Sequence, residues 1–594
     1  MCFIAARSFK KNMNFTWKIG GEAGFGIMTT GLVFSKIAAR LGYHVFDYVE
    51  YPSLIRGGHN AYEVHVADFE VNHLKPTIDV LICLNKETFD KHFSRLTKDS
   101  VVVYDEEEFK VEGNYKKVSV PFKKIVSDLK GQIVMKNTVA MGASMAVVGA
   151  QIEELLKVIE EQFSKKGEAV VSLNKQFAQK GYDEAKKNFP NPSAWLVKKK
   201  SEDQKLVLTG NEAFSLGAAI SDCRFYCAYP MTPSSSVLTV LASWQEKAGM
   251  VVRHAEDEIS VINTAIGASY AGVRSAVGTS GGGFALMVEA VSFAGVTEIP
   301  VVIFLASRPG PATGMPTWTE QGDLLFTVHS GHGEFPKIVL APGNQEEMIE
   351  LTGKAFNLAD IYQLPVIIVS DMYLSEGHKS VKKSFIDKFI SEYKVNRGKF
   401  LNQIPNVKSQ MSNSNLKSKN FLRYKVTEDG ISDRLIPGIP GYYFQANSYE
   451  HVEDGHTTED AKPRIDQVNK RNRKWQTYLS REFELPEYFG DKSSKTIFVS
   501  WGSNKGAVLE AQKQLLEKGI KTGFLHFTHL YPLDRDKIKH LFKTEKKYVL
   551  VENNSWGQFG KLLAMETGVE IENKILRYDG RPITAEYILN NFKF

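Results

Sequence analysis

The chain has 594 residues, 43% of them hydrophobic and 24% charged, with 46 glycines and 21 prolines. That balance excludes a disordered, collagen-like or coiled-coil protein, and the length asks for roughly four domains at about 150 residues each. A formal charge of +6 spread over such a length is too dilute for a nucleic-acid footprint, and no apolar run of about 18 residues or more occurs that would span a membrane.

Residues 1–12 are slightly basic but lack the apolar core of a secretory signal, so they read as an extension with Met13 as a candidate start. Trp17-Lys18-Ile19 then predicts a short strand, Gly20-Gly21-Glu22-Ala23-Gly24-Phe25-Gly26 a glycine turn, and the pattern through Leu32, Ile37 and Leu41 a helix. Further strands are expected at 44–49, 80–84 and 101–104, which makes residues 14–190 an open α/β domain. A Pro- and Lys-rich linker follows near Asn188 to Glu202. Apolar strands at 224–229, 276–279, 301–306 and 365–370 place a second α/β domain at 205–375. Residues 376–490 turn polar, and Asn406 to Asn420 is poor in apolar residues, so this stretch reads as an irregular connector able to wrap another domain. From Lys495-Thr496-Ile497-Phe498-Val499-Ser500 onward, strands and helices alternate again, giving a small α/β domain over 491–594.

Four cysteines, Cys2, Cys83, Cys223 and Cys227, are too few and too scattered for a disulfide framework, which favours a reducing cytoplasm. Cys223 and Cys227 fall in an apolar stretch that reads as strand rather than as half a metal site. The first glycine loop admits three readings: tight-turn packing, an anion or cofactor phosphate at a helix N-terminus, or a dinucleotide, for which Asp47 lies 21 residues beyond Gly26. A second loop, Tyr51 to His59, sets Arg56 beside Gly57 and Gly58, suited to a phosphate, a carboxylate or an interface.

The second domain carries the densest chemistry. Tyr229-Pro230-Met231-Thr232-Pro233-Ser234-Ser235 follows a strand and opens a helix, where caps explain the pattern but ligands also bind. His254-Ala255-Glu256-Asp257-Glu258 precedes a small-residue helix containing Gly267, and Thr279-Ser280-Gly281-Gly282-Gly283 follows the next strand. Arg308-Pro309-Gly310-Pro311-Ala312-Thr313-Gly314 and Gly331-His332-Gly333-Glu334 complete the set.

Together these motifs resemble the alpha subunit of the 2-oxoacid:ferredoxin oxidoreductases, of the 2-oxoglutarate type, over nearly the whole chain. The resemblance implies a gamma-type domain over 14–190, a pyrimidine-binding thiamine diphosphate domain over 205–375 and a transketolase C-terminal-like domain over 491–594. It implies oxidative decarboxylation of a 2-oxo acid to acyl-CoA and CO2, with single electrons passed to ferredoxin. Ala312 departs from it, since the family usually carries Ser there.

Within that resemblance Glu258 is the expected carboxyl at the cofactor's pyrimidine ring, with Glu256 as the competing choice, and Thr279 and Ser280 as further cofactor contacts. Arg308 suits a bidentate hold on the substrate carboxylate, and Thr232 a hydrogen bond to substrate or cofactor. Gly20, Gly21, Gly24, Gly26 and Arg56 are assigned to the phosphates of CoA. No Gly-Asp-Gly occurs, because Asp429, Asp454 and Asp579 lack the preceding Gly, and cysteine sets for a cluster are missing. The chain therefore reads as half an active site without a metal of its own. A beta subunit is expected to bring Mg²⁺, the diphosphate contacts and a [4Fe-4S] cluster, within a heterotetramer in the cytoplasm. The competing classes are a pyruvate, branched-chain or aryl 2-oxoacid enzyme, a dinucleotide-dependent dehydrogenase and a non-catalytic scaffold subunit. The turns at Ser500 to Asn504 and Glu552 to Gln558 read as structural or interface features rather than catalytic ones.

Overall fold

Runs of Val, Ile and aromatic residues form strands wherever helices cover both sheet faces, and three sheets account for most of the chain. The computed structural model describes residues 13–53, 58–192, 194–199, 203–402 and 419–593. These fall into two compact units, Met1–Leu208 with Gly377–Asp387, and Thr209–Glu376 with Lys388–Phe594. Among the described residues no helix is long and apolar enough to cross a membrane.

The first unit is built on an eight-stranded mixed sheet whose centre is Ile78–Cys83, Asn14–Glu22, His59–Ala67 and His44–Glu50 in that spatial order. Asn14–Glu22 runs parallel to Ile78–Cys83 and antiparallel to His59–Ala67, in a register that sets Lys18 opposite Glu63. The central strand is longer than its apolar trio suggests. It takes in Gly20 and Gly21, so the expected glycine turn shrinks to the residues after Glu22. The helices Lys136–Val147 and Glu168–Asn188 pack backbone to backbone. A Cβ at Gly142 would sit 1.8 Å from the Ala178 carbonyl oxygen, and one at Gly181 2.0 Å from that of Val139, so only glycine permits this approach.

The second unit holds a seven-stranded sheet in which Val251–His254, Cys223–Ala228, Arg274–Thr279, Val301–Ser307, Pro365–Asp371 and Ile338–Leu340 lie parallel in that order. Its last edge is closed by an antiparallel strand, His529–Tyr531, contributed by the C-terminal region. Cys223 and Cys227 are buried within the second of these strands. A five-stranded sheet over 487–576 forms the C-terminal layer, and Val499, Trp501 and Leu525 of that layer join Val277, Ile303 and Val369 in one hydrophobic core.

The connector departs from its expected irregularity. It contains the 21-residue helix Ala461–Arg481, whose buried face is Gln467, Lys470, Arg471, Lys474, Thr477 and Tyr478. Lys470 and Lys474 reach the fully buried Glu298 at 2.5 and 2.6 Å. Arg274, Arg397 and Arg434 converge on Asp360 at 2.8, 3.0 and 2.8 Å. The connector is thus tied by buried ion pairs to acids on the helical layer that flanks the second unit's parallel sheet, Glu298 just beyond the helix Gly281–Val296 and Asp360 within the helix Gln345–Tyr362.

Candidate active site

In an open parallel sheet, ligands bind beyond the carboxyl ends of the strands. Four such ends in the second unit, at Ala228, His254, Thr279 and Ser307, carry the residues that the sequence singles out.

After His254 the chain enters the helix Glu258–Tyr270 through a capping box. Asp257 accepts from the Ser260 amide at 2.8 Å, and the Ser260 hydroxyl accepts from the Asp257 amide at 3.3 Å. Capping occupies Asp257 on the surface and leaves the next carboxyl to turn inward. Glu258 is 3% exposed, and its Oε1 is buried without a hydrogen-bond partner. Glu256 is exposed to solvent. This separates the two competing carboxyls by environment.

Glu258 lies against the first turn of the helix Gly281–Val296. A Cβ at Gly283 would stand 2.4 Å from Glu258 Oε1 and 2.1 Å from Thr279 Oγ1, so glycine there makes room for both. Ser280 caps this helix without a side-chain bond to it, and its hydroxyl is buried and unpartnered. Two polar groups with unmet hydrogen-bonding capacity therefore face one helix N-terminus, a costly arrangement unless a ligand completes it.

The two residues expected on the substrate side, Arg308 and Thr232, are bonded to each other. Arg308, half-buried at the end of Val301–Ser307, donates from Nη1 to the Thr232 carbonyl at 2.9 Å. Burial lowers its pKa, and the charge of Asp323 opposes that shift. Thr232 itself is half-buried, and its turn is pinned by Asn211, which donates to the Pro233 carbonyl at 2.7 Å. Ala312 takes a left-handed backbone, φ 55°, in the exposed loop beyond Arg308.

Two carboxyls missed in the sequence complete the cluster. Asp323 lies 2.6 Å from where a Cβ of Gly281 would be, with Oδ2 buried and unpartnered, and burial pushes its pKa up. Burial, reinforced by the neighbouring Asp323, raises Glu320 to about 7. Thr-Glu-Gln-Gly-Asp reads in sequence as a polar loop, and no local signal shows that it is buried.

The motif at 331–334 lies elsewhere. It lines a small polar cavity of about 210 Å³ with Ser292, Arg464 and Arg471, towards the far end of the Gly281 helix.

In the first unit, Gly20 and Gly21 are strand residues under packing constraint. A Cβ at Gly20 would come 2.6 Å from Thr88 and 2.7 Å from His59. They leave only Gly24 and Gly26, at φ 95° and 71°, to shape the loop before the helix Ile27–Arg40. The buried Asp47 is engaged by Ser35 at 2.6 Å and by His378 at 2.8 Å, as a structural residue would be. Arg56 lies outside the described residues.

Comparison with known proteins bears on this geometry. Residues 217–470 match a family described as pyruvate flavodoxin/ferredoxin oxidoreductase, thiamine diphosphate-binding; residues 16–184 match pyruvate ferredoxin/flavodoxin oxidoreductase; and residues 490–573 match the transketolase C-terminal domain. The chain is 32% identical to the alpha subunit of 2-oxoacid:ferredoxin oxidoreductase 2 from Aeropyrum pernix, with 95% of each chain covered. It is 29% identical to the 2-oxoglutarate synthase subunit KorA of Methanothermobacter thermautotrophicus, over 65% of this chain and 98% of that one. Among solved structures it is similar to the 2-oxoglutarate:ferredoxin oxidoreductase of Magnetococcus marinus with 2-oxoglutarate, coenzyme A and succinyl-CoA bound. That match has a TM-score of 0.87 and 28% identity, over 97% of this chain and 98% of that one.

Proposed function

The chain belongs to the 2-oxoacid:ferredoxin oxidoreductases as an alpha subunit with a thiamine diphosphate-binding domain, and from that premise we propose that it acts on 2-oxoglutarate, converting it with CoA to succinyl-CoA and CO2 while two electrons pass singly to two oxidised ferredoxins. The observation that carries the reading is the buried, unpartnered Oε1 of Glu258, held between Thr279 and Gly283. Its donor set fits the pyrimidine end of thiamine diphosphate, which offers ring nitrogen and amino groups to a carboxyl. When bound, the cofactor supplies the nucleophilic carbon and the electron sink for decarboxylation.

This chain's own residues then do three things. Glu258 shares a proton with the pyrimidine through Oε1, and Thr279 and Ser280 hold the ring beside the helix N-terminus. Arg308 orients the substrate carboxylate, because a planar guanidinium matches two carboxylate oxygens. Its bond to the Thr232 carbonyl fixes one edge of that fork, leaving the other free for substrate. The glycine loop at Gly24 and Gly26, with Arg56, is assigned to the phosphates of CoA.

The remaining parts fall to a partner. The sequence has no Gly-Asp-Gly for Mg²⁺ and diphosphate, and the described cysteines, Cys83, Cys223 and Cys227, are buried and scattered rather than gathered as cluster ligands. Tyr229, Ile259, Leu286, Met315 and Phe326, from the segments that carry the site, remain exposed, as expected of a surface another subunit covers. A beta subunit carrying Mg²⁺ and a [4Fe-4S] cluster, in a cytoplasmic heterotetramer, completes the proposal. The choice of 2-oxoglutarate is supported by the names of the KorA relative and the Magnetococcus structure.

The test is co-expression with the neighbouring reading frame, followed by a panel of 2-oxo acids with CoA and a one-electron dye. The expected outcome is the highest kcat/KM for 2-oxoglutarate. A preference for pyruvate, or for a branched-chain or aryl acid, would reassign the substrate, and dependence on a nicotinamide would remove the proposal.

A further inference from the structure

The segment from Arg308 to Asp323 contains no helix or strand, yet it carries Arg308 at one end and Glu320 and Asp323 at the other. Its order comes from the C-terminal domain. Gln321 is 1% exposed and uses its side chain and backbone together. Its Nε2 donates to the Trp501 carbonyl at 3.0 Å, and its Oε1 accepts from Asn504 Nδ2 at 2.7 Å and from the Asn553 amide at 3.0 Å. Its own amide donates to the Asn553 carbonyl at 2.7 Å, and its carbonyl accepts from Asn554 Nδ2 at 3.1 Å. On either side, the Thr319 amide donates to the Gly580 carbonyl at 3.2 Å, and Gln558 holds the Gly322 carbonyl at 2.6 Å and the Leu325 amide at 2.9 Å. Thr319 and Ser503 share the buried Asp371 at 3.2 and 2.6 Å. Gly502, at φ 63°, lies where a Cβ would stand 2.7 Å from Gln321 Nε2, so its turn is shaped around this amide.

The shared hydrophobic core already joins the two domains. A saturated amide network does something else, because each bond accepts only one register of the loop against its support. We infer that Gln321 is a positioning residue, through which the C-terminal domain holds the Arg308-to-Asp323 loop in the geometry that binds the 2-oxo acid. This gives the turns at 501–504 and 552–558 a role in the reaction without contact with the reactants. The inference rests on Arg308 being the substrate-carboxylate residue.

The test is a double-mutant cycle in the assembled complex, with Gln321→Ala, Arg308→Lys and both together, and with Gln558→Ala run in parallel as a milder lesion of the same clamp. Gln321→Ala is expected to lower kcat/KM for the 2-oxo acid by about tenfold to a hundredfold, as a misplaced binding group does, with the KM for CoA unchanged. In the Arg308→Lys background the same change is expected to cost less than about threefold, since residues acting as one unit are not additive. Additive losses, or equal rises in both KM values, would reduce the network to domain adhesion and overturn the inference. Should Arg308→Lys alone leave the 2-oxo acid KM untouched, the underlying assignment falls first, and the cycle reports that separately. If Gln321→Ala does not fold, the cycle with Gln558→Ala decides by the same criterion.

Discussion

At the scale of single residues, a carboxyl that is buried with one oxygen unpartnered must be accounted for by what it meets, and this is why Glu258 and its neighbour Glu256 should behave so differently. Glu258→Gln keeps the shape and replaces the carboxyl with an amide that cannot exchange a proton. The assembled enzyme is expected to lose about 10²-fold or more in rate, the usual share of a proton-transfer group, with its unfolding midpoint preserved. Exposed Glu256→Gln should stay within about twofold, as surface substitutions do. Steady-state dye reduction compares them, and the opposite ranking would move the role to Glu256. Arg308→Lys is expected to weaken every 2-oxo acid alike, by about 1.5–3 kcal/mol for a charged hydrogen bond, because all share the carboxylate that Arg308 is proposed to hold. Competition assays across the substrate panel check this: loss of 2-oxoglutarate alone would place Arg308 at the distal carboxylate. The motifs in the sequence single out Glu258 and Arg308, and the structure places one at the start of a helix and the other at a strand end. Asp323 and Glu320 were not legible in the sequence, because a carboxyl's burial beside a helix N-terminus is settled by segments distant in sequence.

At the scale of elements, buried strands such as Ile78–Cys83, Val301–Ser307 and Pro365–Asp371 declare themselves as apolar runs, whereas polar-studded strands such as His59–Ala67 and His378–Lys382 do not, and the connector helix hides its period in polar residues. Gln467, Lys470, Arg471, Lys474, Thr477 and Tyr478 recur at helical spacing, but a reading keyed to hydrophobic residues passes over lysines that are buried on Glu298. The central strand pair of the first unit conceals charge in the same way. Lys18 and Glu63 lie opposite each other inside the sheet at 3.0 Å, and Arg95 adds a second bond to Glu63 at 2.6 Å. Although burial works against ionisation, the Lys18 and Arg95 charges prevail and hold the Glu63 carboxyl down at about 2. An unfolded Glu titrates near 4.3, so this carboxylate stabilises the native state fully above about pH 4.3, and the contribution is lost as pH falls towards 2. Glu63→Gln is expected to destabilise the first unit by about 3–5 kcal/mol at neutral pH, by leaving Lys18 under-compensated, and to flatten the acid limb. Urea unfolding of both proteins at several pH values between neutral and acid measures it, and an unchanged acid slope in the variant would detach the effect from Glu63.

At the scale of the whole molecule, a chain proposed to carry one side of a reaction centre should do little alone. The residues gathered at the strand ends suit a pyrimidine ring and a carboxylate, and the described cysteines are buried in cores. The metal and diphosphate contacts proposed for the partner have no counterpart here, since nothing in this sequence has the Gly-Asp-Gly pattern for them. The electrons released on decarboxylation also need a one-electron carrier, which a chain without cysteine sets cannot house. The purified chain, given thiamine diphosphate, Mg²⁺, 2-oxo acid, CoA and a dye, is therefore expected to bind the cofactor weakly by calorimetry and to show no turnover. Adding the separately purified partner should restore both together, because that partner is proposed to cover the exposed apolar residues of the segments that carry the site. Full turnover by the demonstrably pure chain would mean that metal and diphosphate are held by residues outside the cluster described, and the division of the site between two subunits would be wrong.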